Sequence, residues 1–182
     1  VEVIGVADLD EGAFLCVNHQ SLIATKANRV VRAAQGRTVL EFGSRRAQGP
    51  DAAILGARAA YIGGCHGTAC VIADQLFGVK AGGTMAHAWV QMFDTEYEAF
   101  LKYAKANPDN CVFLVDTYDT LRSGIPNAIK VAKDYLIPNG YRLKGIRIDS
   151  GDLAYLSKEA RKMLNEAGFP DATICLSNGL DE

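Results

Sequence analysis

Several classes of function find little support in this chain. It holds one tryptophan, three methionines and five prolines among 182 residues. Its charge is nearly balanced, with 19 Lys and Arg against 21 Asp and Glu and a net of -2. No long basic run or alternation of aromatic and basic residues occurs, so no electrostatic footprint for nucleic acid is present. No apolar run approaches the ~20 residues that span a bilayer, and no basic-then-apolar leader opens the sequence. The five cysteines are odd in number and contain no C-x-x-C pair. That fits reduced thiols in a cytoplasmic chain rather than a disulfide framework. Cys65, His66 and Cys70 are poorly spaced for a metal and lack a fourth ligand, so no residue is assigned as a metal ligand. No G-x-G-x-x-G follows a strand and no G-x-x-x-x-G-K-S/T occurs, which removes the usual nucleotide signatures of open α/β sheets.

What is present is the material of a soluble globular domain: 49% of residues are hydrophobic and 22% charged, enough for a substantial core. Residues 1–15 read as a strand and a turn. Asn18 to Ala34 reads as a helix, capped by Asn18 and ended by Gly36. A short strand over Thr38 to Phe42 follows, then a helix from Pro50-Asp51 to Gly63-Gly64, opened by proline and an acid. Thr68 to Phe77 reads as a short helix closed by Gly78, followed by a strand into Gly82-Gly83-Thr84. The spacing predicts a helix over Asp94 to Ala106. Tyr97, Phe100, Leu101 and Ala104 lie on its inner face, with Glu96, Glu98, Lys102 and Lys105 outside. Cys111 to Val115 is apolar throughout, as in a parallel strand buried on both faces. A helix near Pro126 runs to Pro138-Asn139-Gly140. The strand Leu143 to Ile148, the helix Leu153 to Ala167 and the strand Ala172 to Leu176 complete the chain.

Strands alternating with helices over short connections predict an α/β fold with a parallel sheet. Five strand ends carry polar groups: Glu41/Arg45, Thr84/His87, Asp116/Asp119, Arg147/Asp149 and Ser177/Asn178. In parallel α/β folds such ends converge on the face where sites are built. One Ser or Asp per helix would suffice for capping, so this density of polar groups points to chemistry. The organising stretch is Gly82-Gly83-Thr84-Met85-Ala86-His87. Its glycines let a ligand approach the backbone, and its hydroxyl and imidazole stand one turn apart if a helix begins there. A closed (β/α)8 barrel needs ~250 residues. Five units therefore predict part of a larger β/α barrel.

Four strings stand in order: Glu41-Phe-Gly-Ser-Arg-Arg-Ala-Gln-Gly-Pro-Asp51, Gly83-Thr-Met-Ala-His87, Val115-Asp-Thr-Tyr-Asp-Thr120 and Ile146-Arg-Ile-Asp-Ser-Gly-Asp152. Together, and at these separations, they closely resemble the nicotinate phosphoribosyltransferase family. The resemblance covers nearly everything from Asn18 to Glu182. It implies an irregular TIM-like barrel of the type II phosphoribosyltransferases, with residues 1–17 a remnant of an N-terminal region and residues 18–182 a partial catalytic barrel. It implies transfer of a phosphoribosyl group from 5-phosphoribosyl 1-pyrophosphate to nicotinate, giving nicotinate mononucleotide and pyrophosphate in the salvage route to NAD. ATP hydrolysis is coupled through a phosphorylated histidine, with Mg2+ as the cation, in a cytoplasmic homodimer.

Carried over by residue, the resemblance makes His87 the phosphorylated histidine. Thr84 and Arg147 hold the nicotinate carboxylate, and Phe42 lies against the pyridine ring. Arg45 meets the phosphate-rich end of the sugar substrate. Asp149 and Asp116 are acids beside the ribose and pyrophosphate, and Ser177 and Asn178 are polar groups toward the ribose. Ala69 stands where related enzymes using nicotinamide carry an aspartate that would repel a carboxylate, which favours the acid. The glycine-rich loop for the 5-phosphate is expected beyond Asn178. The competing readings are a nicotinamide or quinolinate transferase, and a barrel fragment that binds a ligand or partner without turnover.

Overall fold

The computed structural model describes residues 7–182, with side chains from residue 14 onward. The described residues form two compact units, 7–83 with 181–182 and 84–180.

In the first unit, helix α1 spans Ala7–Ala33. This corrects the expected strand and turn over residues 1–15, whose first six positions lie outside the described residues. From Ala13 to Gln35 no glycine or proline interrupts the chain, so one helix runs on and Asn18 lies within it rather than capping it. The strand β1 (Leu40–Glu41) is followed by α2 (Pro50–Ile62), which opens with proline in its first turn as expected. β1 pairs in parallel with β2 (Gly67–Thr68), and Thr68 in turn bridges Ala81. The helix expected from Thr68 is shorter, α3 (Val71–Phe77), because the backbone at Thr68 is committed to the sheet. The expected strand into Gly82 reduces to that one bridge at Ala81. α1 lies along α2 over a small apolar cluster of Ala27, Ala60 and Cys65. Polar links fix its register: Asn28 Nδ2 donates to the Gly63 carbonyl at 3.2 Å, and Arg58 donates to Gln20 at 2.9 Å.

The second unit begins with α4 (His87–Gln91) and α5 (Glu96–Ala106), then β3 (Val112–Leu114). A π-helical turn over Thr120–Gly124 leads into α6 (Ile125–Val131), and a second π-helical stretch covers Ala132–Leu136. β4 (Gly145–Ile148), α7 (Leu153–Glu166) and β5 (Thr173–Leu176) follow. The helix expected near Pro126 therefore starts earlier, at Asp119, whose carboxylate accepts from the Leu121 and Arg122 amides. The strand order is β3-β4-β5, all parallel, with Leu114 opposite Arg147 and Arg147 opposite Cys175. Ile146 and Ile148 on the central strand are fully buried, as are Phe113, Leu114 and Phe100. Phe100 and Phe113 stack at 4.8 Å, tying α5 to β3.

One residue of α5 departs from expectation. Glu96 is buried, at 5% exposure, rather than on the solvent face. It stands three residues before Ala99 and four before Phe100, both fully buried. Helical spacing thus points it inward, and spacing prevails over residue type.

The α/β class with parallel pairing is as expected. The described strands form separate sheets of two and three strands, and no closed barrel is present among the described residues. Close approach within the second unit rests on two glycines. A Cβ on Gly145 would lie 2.3 Å from Thr173 Oγ1, and one on Gly124 only 1.8 Å from the Val115 carbonyl oxygen. Gly124→Ala is expected to destabilise the chain by about 3 kcal/mol or more, the upper end of overpacking costs. Gly82→Ala, where a Cβ meets nothing within 4 Å, is expected to stay within about 0.5 kcal/mol of the parent. Urea unfolding of the two variants checks the contrast; equal losses would contradict it.

Candidate active site

The site is built at the C-terminal edge of β3-β4-β5, and its hub is Arg147. Strand alternation turns Ile146 and Ile148 to the core and leaves Arg147 half-buried between them. Its Nε donates to Ser177 Oγ at 2.8 Å, one terminal nitrogen to Thr84 Oγ1 at 3.1 Å, and the other to Asp149 Oδ1 at 2.8 Å. The Ser177 hydroxyl donates onward to the same Asp149 oxygen. Two separate segments and its own strand end are thus tied to one guanidinium. The Arg147–Asp149 ion pair has side chains only 12% and 13% exposed, so it is shielded from solvent screening.

Burial alone would push the Asp149 carboxyl up. The Ser177 hydroxyl and the Arg147 guanidinium outweigh it, and the group lies below its ordinary value. Cys175, opposite Arg147 in the sheet, is pushed the other way. Burial raises its thiol, against the pull of Arg147 and with help from Asp149. It therefore stays a neutral thiol at the side of the cation.

The second node is Asp116, just past β3. Its side chain is 1% exposed. Oδ2 accepts from the Asp149 amide at 3.0 Å and from Ser150 Oγ at 2.5 Å, and Oδ1 faces His87 Nε2 at 3.1 Å. A carboxylate acceptor at Nε2 assigns the ring proton of neutral His87 to that nitrogen. Nδ1 then carries the lone pair, on a side chain that is 39% exposed. His87 opens α4 behind Ala86, which is extended, so Thr84 precedes the helix and the expected one-turn spacing of Thr84 and His87 is not met. Thr84 reaches Arg147 and His87 reaches Asp116, and the Asp149 amide joins the two branches.

The structure therefore brings together Thr84, His87, Asp116, Arg147, Asp149 and Ser177. Asn178 follows Ser177 with a positive φ of 86° and is exposed. Phe42 and Arg45 belong to the first unit, Phe42 directly after β1 and Arg45 exposed in the 3-10 turn Ser44–Arg46. There the Glu41 carboxylate accepts from the Gly43 amide and from Thr68 Oγ1, which sets the start of that turn. Asp119 and Asp152 are helix caps. Two groups were not singled out by sequence. Ser150 donates to Asp116, and Thr117 Oγ1 is buried without a hydrogen-bond partner. The available signal for Ser150 was its place between Asp149 and Gly151 at a strand end; Thr117 carries none.

The model of the nicotinate phosphoribosyltransferase (NAPRTase) family matches residues 38–182. The chain belongs to this family. It is 58% identical over 179 residues to a nicotinate phosphoribosyltransferase of Bacillus subtilis, covering 97% of this chain and 36% of that protein. It is 46% identical over 166 residues to nicotinate phosphoribosyltransferase pncB2 of Mycobacterium tuberculosis, covering 91% and 35%. Among solved structures it resembles human nicotinic acid phosphoribosyltransferase, with a TM-score of 0.87 at 32% identity over 97% of this chain and 46% of that one. The chain spans about a third of the length of these curated relatives. Every residue of the network falls within the span that the family model matches.

The depressed Asp149 carboxyl links the site to pH. A group whose folded value lies below its unfolded one stabilises the fold above roughly 3.9, the unfolded Asp value, and that contribution is lost as pH falls through the folded value. Asp149→Asn removes the titration. Below about pH 4 the parent is expected to lose stability more steeply than Asp149→Asn, as read by urea midpoints across a pH series; parallel curves would contradict the assignment.

Proposed function

We propose that this chain carries the reaction centre of a nicotinate phosphoribosyltransferase, joining nicotinate to 5-phosphoribosyl 1-pyrophosphate with coupled ATP hydrolysis. The observation that carries the reading is the single network linking Thr84, Arg147, Asp149 and Ser177 to Asp116 and His87 in a chain of this family.

Arg147, braced on three sides, offers a fixed planar cation to the pyridine carboxylate, and Thr84 sets its orientation. The pyridine nitrogen attacks C1 of the ribose, the C1–O bond to pyrophosphate breaks, and its electrons leave with pyrophosphate. Positive charge then builds on the ribose ring, where Asp149 and Asp116 oppose it. The family resemblance assigns Arg45 to the departing pyrophosphate, Phe42 to the pyridine face, and Ser177 and Asn178 to the sugar substrate. Ala69 presents no carboxylate to repel the acid.

In the ATP-coupled step, the Nδ1 lone pair of His87 attacks the γ-phosphorus, and the bond to the ADP oxygen breaks. Asp116 retains the proton at Nε2 and so keeps Nδ1 free for attack. The phosphohistidine is later lost to water as phosphate. Among the described residues no group of three or more His, Cys, Asp or Glu is placed to hold a metal. Mg2+ would come in on the substrate phosphates, where Asp149 and Asp116 would help to hold it, and would supply charge neutralisation to the leaving group.

The architecture that goes with this reading is a β/α barrel of the type II phosphoribosyltransferases. Residues 18–182 form part of its catalytic domain and residues 1–17 belong to an N-terminal region, with α1 continuous across that boundary. The assembly is a cytoplasmic homodimer. No described helix is long and apolar enough to cross a membrane.

Chromatographic detection of mononucleotide from nicotinate, nicotinamide and quinolinate, each with the sugar pyrophosphate and Mg2+, tests the proposal. Product from nicotinate, enhanced by ATP, is expected. His87→Ala should abolish the ATP enhancement while leaving slow ATP-independent formation. Product from another pyridine in its place would overturn the substrate, and no product from any would leave this chain a binding fragment.

A further inference from the structure

A buried acid outside the network has no role in the chemistry just described. Glu96, the first residue of α5, is 5% exposed. Its Oε2 accepts from Ser123 Oγ at 2.5 Å and from Asn127 Nδ2 at 3.1 Å, while its Oε1 is buried without a hydrogen-bond partner. Burying a carboxylate with one oxygen unpartnered is costly, and an apolar side chain would dock the helices as well or better. What an apolar residue cannot do is hold Ser123.

Ser123 lies in the π-helical turn Thr120–Gly124. Such wide turns are strained relative to an α-helix and recur at functional sites. This one is pinned at three points. Asp119 caps its start, Glu96 holds Ser123 on its flank, and Gly124 closes it against the Val115 carbonyl, where no side chain would fit. Val115 is hydrogen-bonded to the Arg147 carbonyl through its amide, and the next residue is Asp116. The backbone that carries Asp116 to His87 is therefore clamped from behind by the turn that Glu96 holds.

We infer that Glu96 is a positioning residue, which acts through Ser123 to seat the π-helical turn on Val115 and so sets the contact of Asp116 with His87. The inference rests on the reading of His87 as the reactive group, yet it is tested without turnover. The readout is solvent exchange of the His87 Nε2 proton, followed by nuclear magnetic resonance on the chain labelled at histidine. Asp116→Ala supplies the reference for a lost contact.

Glu96→Ala and Ser123→Ala are each expected to speed that exchange by about tenfold, the equivalent of one hydrogen bond. Glu96→Gln retains an acceptor for Ser123 and should restore the parent rate to within about twofold. A merely structural role would lower the melting temperature and leave exchange at His87 unchanged in folded variants, which would overturn the inference. Ser123→Ala removes a single hydroxyl, so it carries the test if Glu96→Ala does not fold. Failure to make mononucleotide would overturn the proposed function and leave these exchange rates as they are.

Discussion

The site depends on a buried carboxylate that holds apart the two ring nitrogens of a histidine. Asp116 is reached by the Asp149 amide and Ser150 hydroxyl on one oxygen and by His87 on the other. Donors on Oδ2 fix the carboxylate plane, and the plane fixes which imidazole nitrogen faces it. An imidazole at a helix start without such a partner would sample both tautomers and several rotamers. Here Nε2 is occupied and Nδ1 keeps the lone pair, on a side chain that is 39% exposed.

Arg147 makes the same kind of arrangement for charge. A guanidinium at a strand end would ordinarily turn toward water and be screened. Ser177 from the next strand, Thr84 from the segment before α4 and Asp149 two residues along hold it in place. The pair with Asp149 lies largely out of solvent, so removing either partner would leave an uncompensated charge. That cost favours a rigid cationic plane over a mobile one, and a rigid plane suits recognition of a planar carboxylate. Cys175 beside it remains a neutral thiol because burial raises its ionisation, so it does not compete for the cation.

Much of this was legible from residue order. Polar groups at the ends of apolar runs marked Asp116, Arg147, Asp149 and Ser177, because strand ends in parallel α/β folds share an edge. The four motifs in register named the family. What was hidden had weak or conflicting signals. β2 is two residues long, too short for any period to show. The start of α1, Ala7-Asp-Leu-Asp-Glu-Gly12, carries acids and a glycine that suit a turn and a first helical turn alike. Glu96 carries a polar side chain at an inward helical position, so residue type and helical spacing conflict there. The π-helical turn at Thr120–Gly124 has no pattern of its own; it follows from Gly124 meeting Val115, a contact between residues already placed by the sheet.

The central claim is that Asp116 holds Nε2 of His87 and leaves Nδ1 for phosphoryl transfer. Incubation with ATP carrying a labelled γ-phosphate, followed by location of the label at residue and atom, tests it most directly. The account predicts label on His87 at Nδ1, and loss of that label in Asp116→Ala. Label at Nε2 of His87, or on another residue, would contradict it.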